Sequence, residues 1–211
     1  FESTFSRWLD QRLQGELYID PGQPVATVDW GYQLGRLPGV TTVLPMVRGR
    51  ALLVQESRNV DLPVDILAVD PASPLVQDWP FIASVSSPWS ELPTTGVLIN
   101  EQLARRQSLG LGDRVHFRIG ADAHSREVIG IYADYGRPEG ELMLPLALVP
   151  DTLPNRYSTF VLGVPDTDKT PWQDWPEQYG WMSSSRLRDQ AGLKRAANAA
   201  FSRTFQMTRL L

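Results

Sequence analysis

The stretch GVLINEQLARRQSLGLGDRV, residues 96–115, leaves little freedom in how it can fold. Gly96 to Ile99 is a short apolar run that reads as a strand. Asn100 follows where a helix N-cap belongs, since its side-chain oxygen can accept from backbone N–H groups of the next turn. Glu101 to Gln107 continue as a short helix with Leu103 on its buried side, and Leu109 to Asp113 form a Gly-rich turn. Val115 to Ile119, Arg126 to Tyr135 and Glu141 to Leu148 read as three further strands. Arg137-Pro138-Glu139-Gly140 puts Pro and Gly where a type I turn wants them, so a hairpin is expected between the last two strands.

Upstream, Glu16 to Asp20 is a short strand ended by Pro21-Gly22, and Val25 to Leu37 is helix-like, closed by Pro38-Gly39. Thr41 to Val47 and Arg50 to Glu56 read as two strands hinged at Gly49, and Leu62 to Val69 as another. This β-α-β-β-β order suggests a sheet with one helix on a face. Residues 71–95 carry Pro71, Pro74, Pro80, Pro88 and Pro93 with many serines, so they read as a connector with one helical turn. Thr159 to Val164 is an apolar strand.

The two ends are amphipathic. Phe1, Phe5, Trp8, Leu9 and Leu13 fall on one helical face, with a stop signal at Gly15. From Ser185 the sequence reads as helix to Leu211, a run that would extend roughly 40 Å at about 1.5 Å per residue, with Ser183 to Ser185 as its cap. The start lacks an N-cap and the end lacks a terminator. The expectation is an internal piece of a larger protein whose terminal helices are stalks that continue beyond it.

Composition excludes several classes. The 20 Lys and Arg are scattered, and the net charge is −4, so no basic stripe for nucleic acid exists. The absence of cysteine removes disulfides, thiolate metal sites and Cys nucleophiles. No apolar run approaches the roughly 20 residues that span a bilayer, and no Gly-rich Lys-Ser/Thr loop is present for nucleotide phosphates.

The segment from Gly96 to Val115, followed by EVIGIYADYGRPEGELMLPL, resembles the extracytoplasmic domain of FtsX-like, MacB-like ABC transporter permeases. Val97, Leu98, Ile99, Ala104, Arg105, Leu111, Gly112 and Asp113 carry the likeness, with Val128, Gly130 and Ile131 in the next motif. The phrase IYADYGRPEGELMLP is most similar to the larger, two-domain permeases of the group.

The resemblance implies an α+β fold of the MacB-like periplasmic core domain type. A split Porter-like α/β subdomain, 15–75 and 156–186, would carry an inserted Sabre-like β-rich subdomain, 81–152. Stalk helices 1–14 and 187–211 would flank them. The resemblance also implies the periplasmic side of the bacterial inner membrane, and a separate cytoplasmic ABC ATPase as partner through membrane helices absent here. A periplasmic protein, lipoprotein or peptide would be cargo or partner. No cofactor is implied.

Residues that could carry chemistry have plainer explanations. His116 and His124 lie in or beside strands, without the spacing of metal ligands. Asp134, Glu139 and Glu141 crowd an expected hairpin tip, where carboxylates can do acid/base work, but tips are commonly charged and no nucleophile is near. No metal, catalytic or cofactor residue is therefore assigned. Trp79, Trp89, Trp172 and Trp175 fall in Pro-rich irregular segments, where aromatics are enriched at binding surfaces, and are candidate partner contacts.

The expected function is a non-catalytic domain that passes ATP-driven membrane-helix motion to export or release of a periplasmic cargo. A free periplasmic binding or adaptor protein is one alternative. A hydrolase using the acidic hairpin is a second, and it requires a pocket lined by Asp134 and Glu141.

Overall fold

The structure is a computed structural model that describes residues 17–55, 58, 60–134 and 139–208, apart from the side chains of 201 and 204–208. The expected N-terminal stalk, the turn at 137–138 and residues 209–211 lie outside the described residues.

Ten strands join one hydrogen-bonded system. They are β1 (Leu17–Asp20), β2 (Thr42–Leu53), β3 (Leu62–Val69), β4 (Phe81–Ser84), β5 (Gly96–Asn100), β6 (Arg114–Ile119), β7 (Asp122–Tyr132), β8 (Glu141–Pro145), β9 (Tyr157–Gly163) and β10 (Arg186–Asp189). The helices are α1 (Thr27–Gly35), α2 (Pro88–Glu91), α3 (Glu101–Gln107), α4 (Trp175–Gln178) and α5 (Gln190–Thr208).

The strand order is β10-β1-β9-β2-β3-β8-β5-β7-β4, and β6 pairs with both β7 and β2. That second contact, Leu52 to Arg118 and Leu53 to Phe117, closes β2, β3, β8, β5, β7 and β6 into a barrel. Its interior holds Val47, Leu53, Val64, Ile66, Val97, Ile99, Phe117 and Leu142, all nearly or wholly buried. Interior positions alternate with outward ones along each strand, as barrel closure demands. Of the remaining strands, β4 flanks β7, while β9, β1 and β10 extend from β2 as a wing.

A helix covers one face of the wing. Trp30 and Leu34 of α1 pack with Leu17, Ile19, Phe160 and Leu162, and Trp175 and Met182 complete that core. On the opposite face of the sheet, outside the barrel, Leu67, Leu98, Met143, Tyr132 and Ile129 pack under Val76, Trp79 and Leu92 of segment 74–92.

Several local expectations meet tertiary structure and change. β2 runs unbroken through Gly49, where two strands were expected, because Leu153 packs over the glycine: a Cβ there would lie 2.3 Å from Leu153 Cδ2. Segment 71–95 contains strand β4, which pairs with the far end of β7. No β7–β8 hairpin forms; β5 lies between them, parallel to β7 and antiparallel to β8.

The C-terminal helix starts at Gln190 and not at Ser185, because Arg186 to Asp189 pair with β1. Its cap is Asp189, whose Oδ1 accepts from the Gly192 N–H at 2.7 Å. The two expected subdomains also share strands. β2 and β3, assigned to the first, form part of the barrel that holds the second, since β3 pairs in parallel with β8.

Asn100 does cap α3, its Oδ1 accepting from the Leu103 N–H at 3.1 Å. The same oxygen accepts from the Glu141 N–H at 3.0 Å, and its Nδ2 donates to the Glu139 carbonyl at 2.8 Å. One cap thus ties α3, β5 and β8 together. Arg126 is buried and donates to the Leu92 and Gly96 carbonyls at 2.7 and 3.0 Å. Burial pulls its guanidinium below the usual arginine value; the two carbonyls offset the water it has lost.

Candidate functional site

The face of the wing opposite α1 is only partly covered. The register sets Arg188, Tyr18, Val161 and Leu44 in one row across β10, β1, β9 and β2. Arg186 pairs with Asp20, and Thr159 with Met46, one pleat further along. Alternation along strands sends Leu17, Ile19 and Leu162 to the α1 side and leaves these residues on the other. Over them lies a cavity of about 480 Å³, walled by Leu75 and Trp79 on one side and by Leu193 of α5 on another.

The floor is apolar and the rim is charged. Leu44 and Val161 are nearly buried, while Arg186 and Arg188 are exposed on the edge strand. Asp20 is engaged locally: its Oδ1 accepts from the Gly22 N–H at 2.9 Å and from the Tyr157 hydroxyl. Burial, and then the hydrogen bond to Asp20, push the Tyr157 hydroxyl above the usual tyrosine value. Arg48, at the third edge of the cavity, donates through Nη1 to Glu141 Oε2 at 3.2 Å.

Glu141 is fully buried, not exposed at a hairpin tip as expected. The Tyr132 hydroxyl donates to its Oε1 at 2.7 Å. The side chain points into a closed network because β8 is an inner strand; a carboxylate there is kept by its partners. Asp134 is also buried, Glu139 is exposed, and neither Asp134 nor Glu141 lines the cavity. His116 and His124 lie on opposite faces of the β6–β7 hairpin, with His124 stacked on Phe117 at 5.3 Å. They therefore cannot converge on one ion.

The four tryptophans do not form one patch. Trp79 lines the cavity and meets Trp89 edge-on at 6.4 Å. Trp172 and Trp175 belong to the core on the α1 side, and Trp175 is 1% exposed, which leaves it no surface to offer a partner. Sequence reading missed the arginines and Tyr18. The alternation in LYID, apolar at Leu17 and Ile19 and polar between, was the available signal.

This is a mixed α/β fold of the kind found in periplasmic domains of MacB-type transporters. The solved structures that share it include the periplasmic region of MacB from Actinobacillus actinomycetemcomitans (14% identity, 90% of this chain and 95% of that one, TM-score 0.62). A domain of a protein described as a permease, from Porphyromonas gingivalis, matches at 18% identity over 84% and 89%, TM-score 0.52. The extracellular domain of the ABC-type transporter YknZ from Gram-positive bacteria matches at 14% over 83% and 99%, TM-score 0.55. No family model and no curated protein matches the chain by sequence. Among the described residues no helix is long and apolar enough to cross a membrane.

Proposed function

We propose that this chain is a non-catalytic, extracytoplasmic domain of an ABC transporter permease, on the periplasmic side of the bacterial inner membrane. It takes motion from membrane helices driven by a separate cytoplasmic ATPase and passes it to a periplasmic cargo or partner. The wing corresponds to the Porter-like part and the barrel to the Sabre-like part, with β2 and β3 belonging to both.

One observation carries this reading. Leu17 and Asp189 are cross-strand partners, and α5 begins at the next residue, 19 residues long. The start of β1 and the start of α5 thus sit side by side on one ladder, and α5 is a helix of about 28 Å capped by the strand that anchors it. A packed strand and a continuous helix transmit displacement where a loop would absorb it. The likeness of fold to transporter domains supports the same reading, as does the engagement of Glu141 with Arg48 and Tyr132 instead of with a cavity.

Proline at Ala197 removes a helix hydrogen bond and kinks α5. In the full-length transporter, Ala197→Pro is expected to leave ATP hydrolysis running while transport falls. Transport at the unmodified rate, with the variant protein present at normal levels, would count against the coupling role.

A further inference from the structure

The cavity over the wing has an asymmetry that selects its occupant. Its floor of Tyr18, Leu44, Met46 and Val161 is apolar. The backbone groups beneath are held in the β10–β1–β9–β2 ladders, so the floor offers no main-chain hydrogen bonds to a peptide. Thr159 Oγ1, a polar atom in the lining, is turned toward the Met46 carbonyl at 3.5 Å.

Charge gathers at one side. Arg186 and Arg188 stand two residues apart on the edge strand, so both guanidiniums leave the same face, and neither makes an ion pair among the described residues. The other charged lining groups are committed: Arg48 to Glu141, and Asp20 to Tyr157 and Gly22. Two cations outside any ion pair among the described residues thus share one strand face, with Asp20 cross-strand from Arg186, in a chain whose net charge is −4. Guanidinium forks favour carboxylate and phosphate oxygens. A volume of about 480 Å³ lies within the range of small-molecule sites, roughly 300–1,000 Å³.

We infer that this cavity binds an anionic amphiphile, a single aliphatic chain ending in a carboxylate or phosphate monoester. The chain lies on Tyr18, Leu44, Met46 and Val161, and the head sits between Arg186 and Arg188. Because Leu193 of α5 is one wall and β10 runs directly into that helix, an occupied cavity braces the joint between sheet and helix. The bracing consequence rests on the permease reading, whereas the binding does not.

The test is calorimetry on the purified chain with dodecanoate and dodecyl phosphate, each below its micelle concentration. Dodecyltrimethylammonium and inorganic phosphate serve as comparison probes. Both anionic amphiphiles are expected to bind with one-to-one stoichiometry, and the two comparison probes far more weakly. The double variant Arg186→Glu/Arg188→Glu, on exposed positions, should weaken binding by about tenfold or more. Met46→Trp, which fills the floor, should weaken it as much while a circular-dichroism melt shows the fold intact. Absence of binding, equal binding of the cationic amphiphile, or an unchanged constant in the arginine variant would each overturn the assignment. None of these outcomes bears on Ala197→Pro, so the two readings fail separately.

Discussion

Arg48 Nη1 reaches Glu141 Oε2 at 3.2 Å across an intervening strand, β3, and the carboxylate it meets is wholly out of solvent. Register explains the reach: Arg48 is opposite Leu67 on β3, and Glu141 is beside Asp65 on the same strand. Asp65 is answered in turn by Arg50 at 3.2 Å. Two neighbouring acids are therefore balanced by two guanidiniums that approach from β2.

Breaking this arrangement on one side leaves an uncompensated group. Glu141→Gln and Arg48→Met are each expected to cost about 2 kcal/mol, less than a fully buried pair because Arg48 keeps some solvent. The double variant should cost less than the sum, by about 1 kcal/mol. Urea midpoints of the four proteins measure this; strict additivity would show that the two groups are not coupled.

Asn100→Ala removes the α3 cap, the acceptor for the Glu141 N–H and the donor to the Glu139 carbonyl in one step. A loss of about 2–3 kcal/mol is expected, beyond the roughly 1 kcal/mol of an isolated cap. Asn100→Ser keeps one acceptor and should fall between. Chemical denaturation of the three proteins checks the order.

Gly49→Ala forces a methyl into Leu153 and, at 2.8 Å, into the Pro154 carbonyl. Leu153 can turn but the backbone carbonyl cannot, so about 1–3 kcal/mol of destabilisation is expected. A thermal midpoint equal to that of the parent would show that the 150–156 turn yields freely.

Tyr157 gives a pH signature. Its hydroxyl titrates higher in the folded chain than in the unfolded one, so the stability it contributes is complete below the ordinary tyrosine range near pH 10. That contribution is lost as pH rises through the folded value. The stability gap between the parent and Tyr157→Phe should therefore hold steady up to about pH 9 and narrow as pH rises beyond the ordinary tyrosine value. Denaturation curves across that range would show a constant gap if the hydroxyl titrated normally.

What the sequence made legible was local. The Asn100 cap, the α3 helix and the strands beside them follow from neighbours a few residues away, and they appear where expected. The failures are all matters of pairing at long range. Arg186 to Asp189 reads as the opening of a helix until β1 is there to claim it. β7 and β8 look like a hairpin until β5 slips between them, more than 20 residues from its partner residues on β7. Glu141 looks like a surface charge because Arg48 is 93 positions away. The cavity was invisible for the same reason, since its floor is drawn from three strands and its rim from a fourth, which only the register aligns.

The pairing of Leu17 with Asp189 also makes the body mechanically anisotropic. Leu17 and Asp189 close the same end of an antiparallel ladder. Forces that drive both strand ends together load every rung of it at once. Forces that splay them apart load the terminal rung first and open the four-pair ladder one rung at a time. The molecule is thus stiff toward concerted tilting and soft toward separation, like a hinge with a zip fastener along one edge.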